Sequence, residues 1–198
     1  MNVGVLALQG DFREHCVVLE SLGANVSEVR LPEQLDGLDG LVIPGGESTT
    51  IGRLMRLYEL DEAFSRFEGA LFGTCAGMIV LARDSSDGVD GQLHLGEIDV
   101  TVRRNGYGRQ VASFESPVEL DDGTHVPGVF IRAPRIVEHG TNVELLAHLD
   151  GEPVLVREGR ALAAAFHPEL ADDRRIHSLF LEIAEENGGP SLRGRATS

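Results

Sequence analysis

The chain has 198 residues, 42% of them hydrophobic, and a formal net charge of −15. This length suffices for one domain with a full hydrophobic core. The negative charge argues against nucleic acid or an anionic membrane as a partner, because their phosphate groups would repel the chain. Two cysteines do not make a disulfide framework, and this usage fits a reducing cytoplasm, where we expect the protein to be located.

All 17 basic residues are arginines. The absence of lysine has two explanations of about equal weight. One is adaptation to high salt, which favours acidic surfaces poor in lysine, and the other is GC-rich codon usage. Melting temperatures across a series of salt concentrations separate the two, because a salt-indifferent protein rules out the first.

In the first half of the chain, apolar runs alternate with amphipathic segments. Strands are predicted over residues 3–8, 26–31, 40–43 and 70–74. The run 3–8 lacks a basic flank and is too short for a signal peptide or a membrane helix. Asp11 is expected to cap a helix together with Glu14, and Gly23 to end it. A second helix is predicted to carry Ile51, Leu54, Met55 and Tyr58, and a shorter third helix to span residues 61–67.

The second half consists mainly of short strand candidates separated by turns. They cover residues 97–103, 108–114, 126–132, 143–149, 153–157 and 161–166, and a last helix spans about 173–186. In the first half, by contrast, the strands are separated by helices, which is typical of an open, mostly parallel sheet with helices on both faces. We therefore expect one α/β domain over residues 1–187, with a short antiparallel excursion, and a flexible tail over residues 188–198.

The five residues at 73–77, GTCAG, directly follow the apolar run 70–72. A strand that breaks at a glycine and presents one residue at a tight turn before a helix has the geometry of a nucleophile elbow. An isolated cysteine is more often a buried structural residue, but glycines two positions before and after Cys75 favour the elbow. A helix N-terminus behind Cys75 would favour the thiolate that such chemistry needs.

A histidine and a carboxylate two positions apart follow the strand predicted over residues 161–166. Catalytic groups of open parallel sheets collect at such strand ends. We predict that His167 acts as general base and acid, and that Glu169 holds its tautomer and stabilises its cation. The alternative is a turn with a solvated glutamate. Together with Cys75, the pair favours covalent catalysis.

Acyl transfer also needs hydrogen-bond donors for the developing oxyanion. The backbone N–H of Ala76 is one candidate, and the loop PGGES at 44–48 is the predicted place of the second. Its paired glycines allow close approach and a change of peptide orientation. By itself, the loop is better explained as a turn before a helix that is capped by Ser48 or Thr49. A phosphate site is disfavoured because the Lys-Ser/Thr ending of a P-loop is missing.

Motifs along nearly the whole chain resemble those of class I, triad-type glutamine amidotransferases, and more closely those of the glutaminase subunits of pyridoxal 5′-phosphate synthases. The motifs are LQG at 8–10, REH at 13–15, PGGEST at 44–49, GTCAG at 73–77, RN at 104–105, YGRQ at 107–110, FIRAP at 130–134 and HPE at 167–169. GTCAG and HPE are shared by the broad class, whereas PGGES, YGRQ and IRAP narrow the resemblance to this subunit. It implies the amidotransferase fold with a flavodoxin-like core.

The resemblance implies hydrolysis of L-glutamine to L-glutamate and ammonia through a γ-glutamyl thioester on Cys75. Gly46 and Ala76 are the implied oxyanion donors, and no cofactor or metal is implied. The implied substrate contacts are Gly46, Glu47, Ser48, Arg104, Ile131 and Arg132. An arginine suits the α-carboxylate of the substrate, and Glu47 its α-ammonium. A glutamate at a helix start that interacts with the helix dipole is an equally natural role for Glu47.

The resemblance also implies a partner, a separate synthase subunit of (β/α)₈-barrel fold in a large hetero-oligomer. This subunit would receive the ammonia through a tunnel and make pyridoxal 5′-phosphate from ribose 5-phosphate and glyceraldehyde 3-phosphate. The free glutaminase is expected to be nearly inactive until the partner binds and a peptide flip at Gly46 completes the oxyanion hole. We expect Gln9–Gly10 and the segment 13–15 to contribute to the partner surface, with His15 an interface or surface histidine.

Two alternatives belong to other functional classes or pathways. The chain could be a glutaminase subunit that serves another synthase, such as the one that makes imidazole glycerol phosphate, or a catalytically silent regulatory binding module. PGGES and IRAP argue against the first, and the presence of Cys75, His167 and Glu169 argues against the second. A γ-glutamyl hydrolase fits the fold but has no other support.

Overall fold

The computed structural model describes residues 1–106 and 113–188. The strands are β1 (Asn2–Leu6), β2 (Asn25–Val29), β3 (Gly40–Ile43), β4 (Ala70–Thr74), β5 (Ala82–Ser85), β6 (Ile98–Arg103), β7 (Ser113–Leu120), β8 (His125–Ile131), β9 (Arg135–His139), β10 (Glu144–Leu149), β11 (Glu152–Glu158) and β12 (Ala161–Ala164). The α-helices are α1 (Phe12–Ser21), α2 (Ser48–Leu57), α3 (Leu60–Phe64), α4 (Ala76–Leu81) and α5 (Arg175–Asn187). None of the helices in these ranges is long and apolar enough to cross a membrane.

Nine strands form one sheet in the order β2-β1-β3-β4-β12-β11-β10-β7-β8. The five strands from β2 to β12 pair in parallel, and the pairs from β12 to β8 are antiparallel. A second sheet contains β5, β6 and β9. This topology confirms the predicted α/β class, and the antiparallel excursion is a continuation of the same sheet.

Helices cover both faces of the parallel part, as contacts of the central strand β4 show. The ring of Phe72 packs against that of Phe180 in α5, with centroids 5.5 Å apart. A Cβ added at the next residue, Gly73, would lie 2.8 Å from the side chain of Leu81 in α4. Because neighbouring strand residues point to opposite faces, α5 and α4 lie on opposite sides of the sheet. All residues of β3, β4 and β12 are buried, as expected for strands covered on both faces.

The parallel strands end together at one edge of the sheet, and the segments that follow them carry the predicted site. The loop PGGES follows β3, Cys75 follows β4, and His167 comes shortly after β12. These three strands are neighbours, so their carboxyl ends bring the three segments into proximity.

Strand β7 differs from the predicted strand at 108–114, most of which lies outside the described residues. The observed strand runs to Leu120 although it contains Pro117, a residue that usually argues against a strand. Pro117 lies opposite Pro127 of the edge strand β8. Pairing with β10 involves only Glu119 and Leu120, so the missing N–H of Pro117 removes no hydrogen bond on that side.

Other differences concern short elements. Strands β5 and β9 were not predicted; β9 is mostly exposed, so its hydrophobic pattern is weak. Asp11 occupies the position before α1, but its side chain makes no capping hydrogen bond, and the predicted capping box is wrong. The YGRQ motif at 107–110 and residues 189–198 of the expected tail lie outside the described residues.

Candidate active site

A cleft of about 520 Å³ opens where the parallel strands end. Its lining consists of Gln9, Asp11, Gly46, Glu47, Ser48, Cys75, Ala76, Ile79, Arg104, Asn105, Ser113, Ile131, Arg132 and His167. Every residue predicted for the site lines this cleft except Glu169, which is hydrogen-bonded to His167. The structure thus brings together residues from seven separate segments of the chain.

The cysteine lies at a strained turn between β4 and α4. Cys75 has φ 50° and ψ −103°, a conformation that costs a non-glycine residue about 1–3 kcal/mol. The two motif glycines permit the turn by close backbone approach: a Cβ at Gly73 would lie 2.5 Å from the carbonyl oxygen of Gly77, and one at Gly77 would lie 2.0 Å from that of Ile43. The spacing of GTCAG is therefore explained by packing of the elbow against β3.

Cys75 is 6% exposed, and its thiol faces the cleft wall formed by β8. Its Sγ–H donates to the carbonyl oxygen of Ile131 over 3.6 Å. The backbone N–H of Cys75 donates to Ala164 in β12 over 2.8 Å, which ties the elbow to the strand that leads to His167.

His167 and Glu169 form a buried pair. Nδ1 of His167 lies 2.7 Å from Oε1 of Glu169, which leaves Nε2 for the hydrogen bond with Cys75. Burial would lower the pKa of His167, but the hydrogen bonds and negative charges of Cys75 and Glu169 outweigh it and raise this pKa to about 10. Burial raises the pKa of Glu169, although the hydrogen bond and the charge of His167 act to lower it. A cationic His167 would stabilise negative charge on the neighbouring sulfur.

The loop after β3 holds the imidazole in place. A Cβ at Gly45 would lie only 2.3 Å from Cε1 of His167, so the ring packs directly on this glycine. From the other side, the backbone N–H of His167 donates to Val129 over 2.8 Å. Glycine at position 45 is thus required by the ring it contacts.

Glu47 caps helix α2, so the prediction that Ser48 or Thr49 does so is wrong. Its carboxylate accepts the backbone N–H groups of Thr49 (3.1 Å) and Thr50 (2.7 Å). Burial would raise the pKa of Glu47, but the hydrogen bonds from both threonines lower it to about 2. Ser48 is instead buried, and its hydroxyl donates to Gln92. The longer glutamate side chain can fold back over the first turn, in agreement with the helix-start role that the sequence also allowed for Glu47.

The peptide between Gly46 and Glu47 is engaged by Gln9. The Glu47 N–H donates to Oε1 of Gln9 over 2.7 Å, and Gly46 has φ 147°, a conformation that favours glycine. A Cβ at Gly46 would lie 2.4 Å from the same Oε1 atom. This peptide N–H is therefore already paired within the chain.

Two of the three charged groups expected to contact substrate pair with each other. Nη2 of Arg104 lies 3.1 Å from Oε1 of Glu47, across one end of the cleft. Arg132 is exposed, with φ 46°, beside Ile131 at the end of β8. The cleft thus offers one paired and one exposed guanidinium to an anionic group.

His15 is fully buried, so the expectation that it lies at the surface or in an interface is wrong. Its Nδ1 lies 2.9 Å from Nε2 of His177, and its Nε2 lies 3.1 Å from Oγ1 of Thr74. Helical spacing could have indicated the burial, because His15 lies one turn before the buried Leu19 on the same face of α1. His177 carried no prediction, although it follows the core residue Ile176 in α5.

Five residues of the cleft were not predicted as catalytic or substrate residues: Gln9, Asp11, Ile79, Asn105 and Ser113. The first two follow β1, the neighbour of β3, so the rule that ligands bind at the carboxyl ends of parallel strands could have indicated them. Ile79 lies one helical turn after Cys75. No local pattern indicates Ser113.

Comparison with known proteins extends this picture. The model of the SNO glutamine amidotransferase family matches residues 5–186. A relative from Parafrankia sp. (strain EAN1pec) is 53% identical over 200 aligned positions, which cover 98% of each chain. One from Thermus thermophilus is 55% identical over 186 positions, covering 92% of this chain and 97% of the relative. Both relatives are described as pyridoxal 5′-phosphate synthase subunit PdxT.

Solved structures agree with the sequence comparisons. A crystal structure described as a glutamine amidotransferase is 51% identical, covers 92% of this chain and 98% of its own, and has a TM-score of 0.87. The structure of PurLQS from Thermotoga maritima, at 15% identity and a TM-score of 0.63, covers 94% of this chain and 95% of its own and shares the fold. Because the family model covers nearly the whole chain, the protein belongs to the SNO glutamine amidotransferase family.

Proposed function

We propose that this chain is the glutaminase subunit of a pyridoxal 5′-phosphate synthase. It hydrolyses L-glutamine to L-glutamate and ammonia and delivers the ammonia to a synthase subunit. Family membership and relatives described as PdxT over nearly their full length support this function. The observation that carries the chemistry is the convergence of Cys75, His167 and Glu169 at one cleft.

In the proposed mechanism, Nε2 of His167 takes the proton of Cys75, and the thiolate attacks the side-chain amide carbon of glutamine. The tetrahedral intermediate collapses when the imidazolium gives its proton to the leaving nitrogen, which departs as ammonia and leaves a γ-glutamyl thioester. His167 then takes a proton from a water that attacks the thioester, and returns it to the sulfur as glutamate leaves. Glu169 holds the Nδ1–H tautomer and stabilises the cation throughout.

The oxyanion of each tetrahedral intermediate is proposed to bind the N–H of Ala76 and a peptide N–H at Gly46. The N–H of Glu47 is paired with Gln9, which supports a resting arrangement of this loop. In this arrangement the peptide between Gly46 and Glu47 has still to reorient. Glycine at position 46 permits a flip that other residues would resist. Binding of the synthase subunit is the proposed trigger.

Substrate recognition is proposed to use the charged groups at the end of the cleft. A free glutamine carries an α-carboxylate and an α-ammonium, and Arg104 or Arg132 suits the first and Glu47 the second. The 3.1 Å pair between Arg104 and Glu47 supports this assignment, because it places opposite charges side by side where a zwitterion can exchange with each. Ser48 and the backbone at Ile131 complete the proposed contacts.

The partner is proposed to be a (β/α)₈-barrel subunit in a large cytoplasmic hetero-oligomer, with residues 1–187 as one glutaminase domain. The test is glutamate release from L-glutamine with and without the pyridoxal 5′-phosphate synthase barrel, using the Cys75→Ala variant as control. Strong stimulation by the barrel and loss of activity in Cys75→Ala are expected. Equal activity with and without the barrel refutes the switch at Gly46, and full ammonia release by Cys75→Ala refutes the catalytic assignment.

A further inference from the structure

Two buried histidines, hydrogen-bonded to each other, lie behind His167 and Glu169. His15 in α1 and His177 in α5 are both fully buried and lie 2.9 Å apart. Nε2 of His15 lies 3.1 Å from Oγ1 of Thr74 and 3.4 Å from Oε2 of Glu169. Among the described residues, two buried side-chain atoms lack a hydrogen bond of good geometry, and they are Oε2 of Glu169 and Nδ1 of His177. The unpaired atoms thus lie at the two ends of the histidine pair.

The two histidines are neutral, so they act through hydrogen bonds and not through charge. Burial, with smaller contributions from His177 and His167, lowers the pKa of His15 well below 6.5. Burial lowers the pKa of His177 to about 4. A neutral imidazole has one N–H donor and one acceptor nitrogen, so the pair has two tautomeric arrangements.

In one arrangement, Nδ1–H of His15 donates to His177. Nδ1–H of His177 is then a buried donor without an acceptor, and the lone pair of His15 Nε2 faces the carboxylate of Glu169. In the other, Nε2–H of His177 donates to His15, and Nε2–H of His15 points at Glu169 and Thr74. Only an acceptor nitrogen of His177 is then left unpaired. The second arrangement therefore avoids the buried unpaired donor and the repulsion between the His15 lone pair and the Glu169 carboxylate.

The carboxylate of Glu169 needs such a donor. Oε1 accepts from His167, but the surroundings add a further negative group, because carboxylate and imidazole atoms of Asp11, His167 and Glu169 lie within 4.8 Å of one another. The titratable groups around Glu169 are His167 on its own segment, Asp11 before α1 and His15 on α1. Thr74 on β4 and His177 on α5 are hydrogen-bonded to His15. Of these groups, His15 brings a neutral nitrogen to 3.4 Å from Oε2.

We propose that His15 is a positioning residue, whose Nε2–H holds Oε2 of Glu169 so that Oε1 stays on Nδ1 of His167, and that His177 fixes the required tautomer of His15. The inference rests on the proposed glutaminase function. Hydrogen bonds at active sites are often long in the absence of substrate and shorten during catalysis, which fits the 3.4 Å separation.

The test compares His15→Leu, which removes the donor, with His15→Gln, whose side-chain amide can again donate near the position of Nε2. Glutaminase activity is measured in complex with the synthase subunit. We expect kcat of His15→Leu to fall about 10- to 100-fold, with KM within about twofold of wild type, because the imidazole of His167 loses its orientation. The acid limb of kcat/KM moves to higher pH, since a carboxylate without its donor is protonated more readily. His15→Gln restores kcat and the position of the acid limb.

Leu19→Ala, one turn further along α1, is the matched control for loss of packing, because Leu19 is buried but makes no contact in this hydrogen-bond chain. It is expected to lower the melting temperature without moving the acid limb. If His15→Leu does not fold, His177→Phe tests the same chain, because it keeps the ring and removes the donor to His15. A smaller fall in kcat with the same shift of the limb is expected.

The proposal is overturned if folded His15→Leu or His177→Phe keeps the wild-type kcat and pH profile, or if its loss of activity equals that of Leu19→Ala at similar stability. Wild-type protein without activity in the same assay would instead contradict the proposed function. The two failures are therefore distinguishable.

Discussion

The contact between Gly45 and His167 allows a single methyl group to be directed at the proposed general base. In Gly45→Ala the new Cβ would meet Cε1 of the imidazole at 2.3 Å and Nδ1 at 3.0 Å. Position 45 has no positive φ, so alanine is compatible with the backbone and the effect is steric. The ring cannot simply rotate away, because Nδ1 is bound to Glu169 at 2.7 Å and the backbone N–H to Val129.

The size of the effect follows from the displacement. An ordinary contact of 3.4 Å in place of 2.3 Å requires the ring to move by about 1 Å. A misplacement of about 1 Å at a reacting group costs about 10²-fold in rate, or about 2.7 kcal/mol in the barrier. Overpacking a buried site also costs about 1–3 kcal/mol in stability, which lowers Tm by roughly 2–12 °C in a protein of this size.

The assay measures kcat and KM for L-glutamine in complex with the synthase subunit, together with thermal unfolding. We expect kcat to fall about 100-fold and KM to change much less. Gly88→Ala is the matched control, because a Cβ there would meet no atom closer than 3.8 Å, and it should behave as wild type. A folded Gly45→Ala variant with kcat within about threefold of wild type would refute the assignment of His167 as the base.

Three further predictions concern charge. Glu169→Gln removes one cause of the raised pKa of His167, about 10 in the native protein, so kcat falls and the basic limb of kcat/KM moves to lower pH. Glu47→Ala removes the cap of α2 and costs about 0.5–2 kcal/mol in thermal unfolding. Since the pKa of Glu47 is lowered to about 2, this difference persists at pH 5–8 and disappears as the pH falls from about 4.5 through 2. Arg104→Leu raises KM for glutamine about 10- to 100-fold, while thermal unfolding shows that the free energy of unfolding falls by less than about 1 kcal/mol.

Each of these predictions has an outcome that contradicts it. An unchanged basic limb in Glu169→Gln means that the carboxylate does not support the imidazolium. A loss of stability in Glu47→Ala that persists at pH 2 means that the ionised cap is not its cause. An unchanged KM in Arg104→Leu leaves Arg132 as the arginine for the α-carboxylate.

The elbow and the parallel strands could be predicted because their signals are local. The apolar run 70–72 leads directly into the motif at 73–77, and the glycines around Cys75 are explained by the close packing of the turn. The order of such strands along the chain then implies where their carboxyl ends meet. Strand β7 was missed in part because Pro117 argues against a strand when its pairing is unknown.

The sequence by itself determined the α/β class and, by resemblance, the family and most of the residues that meet at the cleft. Only the tertiary structure decided that His15 lies beside Glu169 and His177, that Glu47 pairs with Arg104, and that Gln9 engages the Glu47 N–H. The physical reason is the sequence separation over which each kind of interaction acts. Strand and turn signals act over a few residues, whereas the contact of His15 with His177 joins positions 162 residues apart, and no local periodicity encodes it. The proposed nucleophile could therefore be located in the printed sequence, but the buried histidine pair behind Glu169 could not.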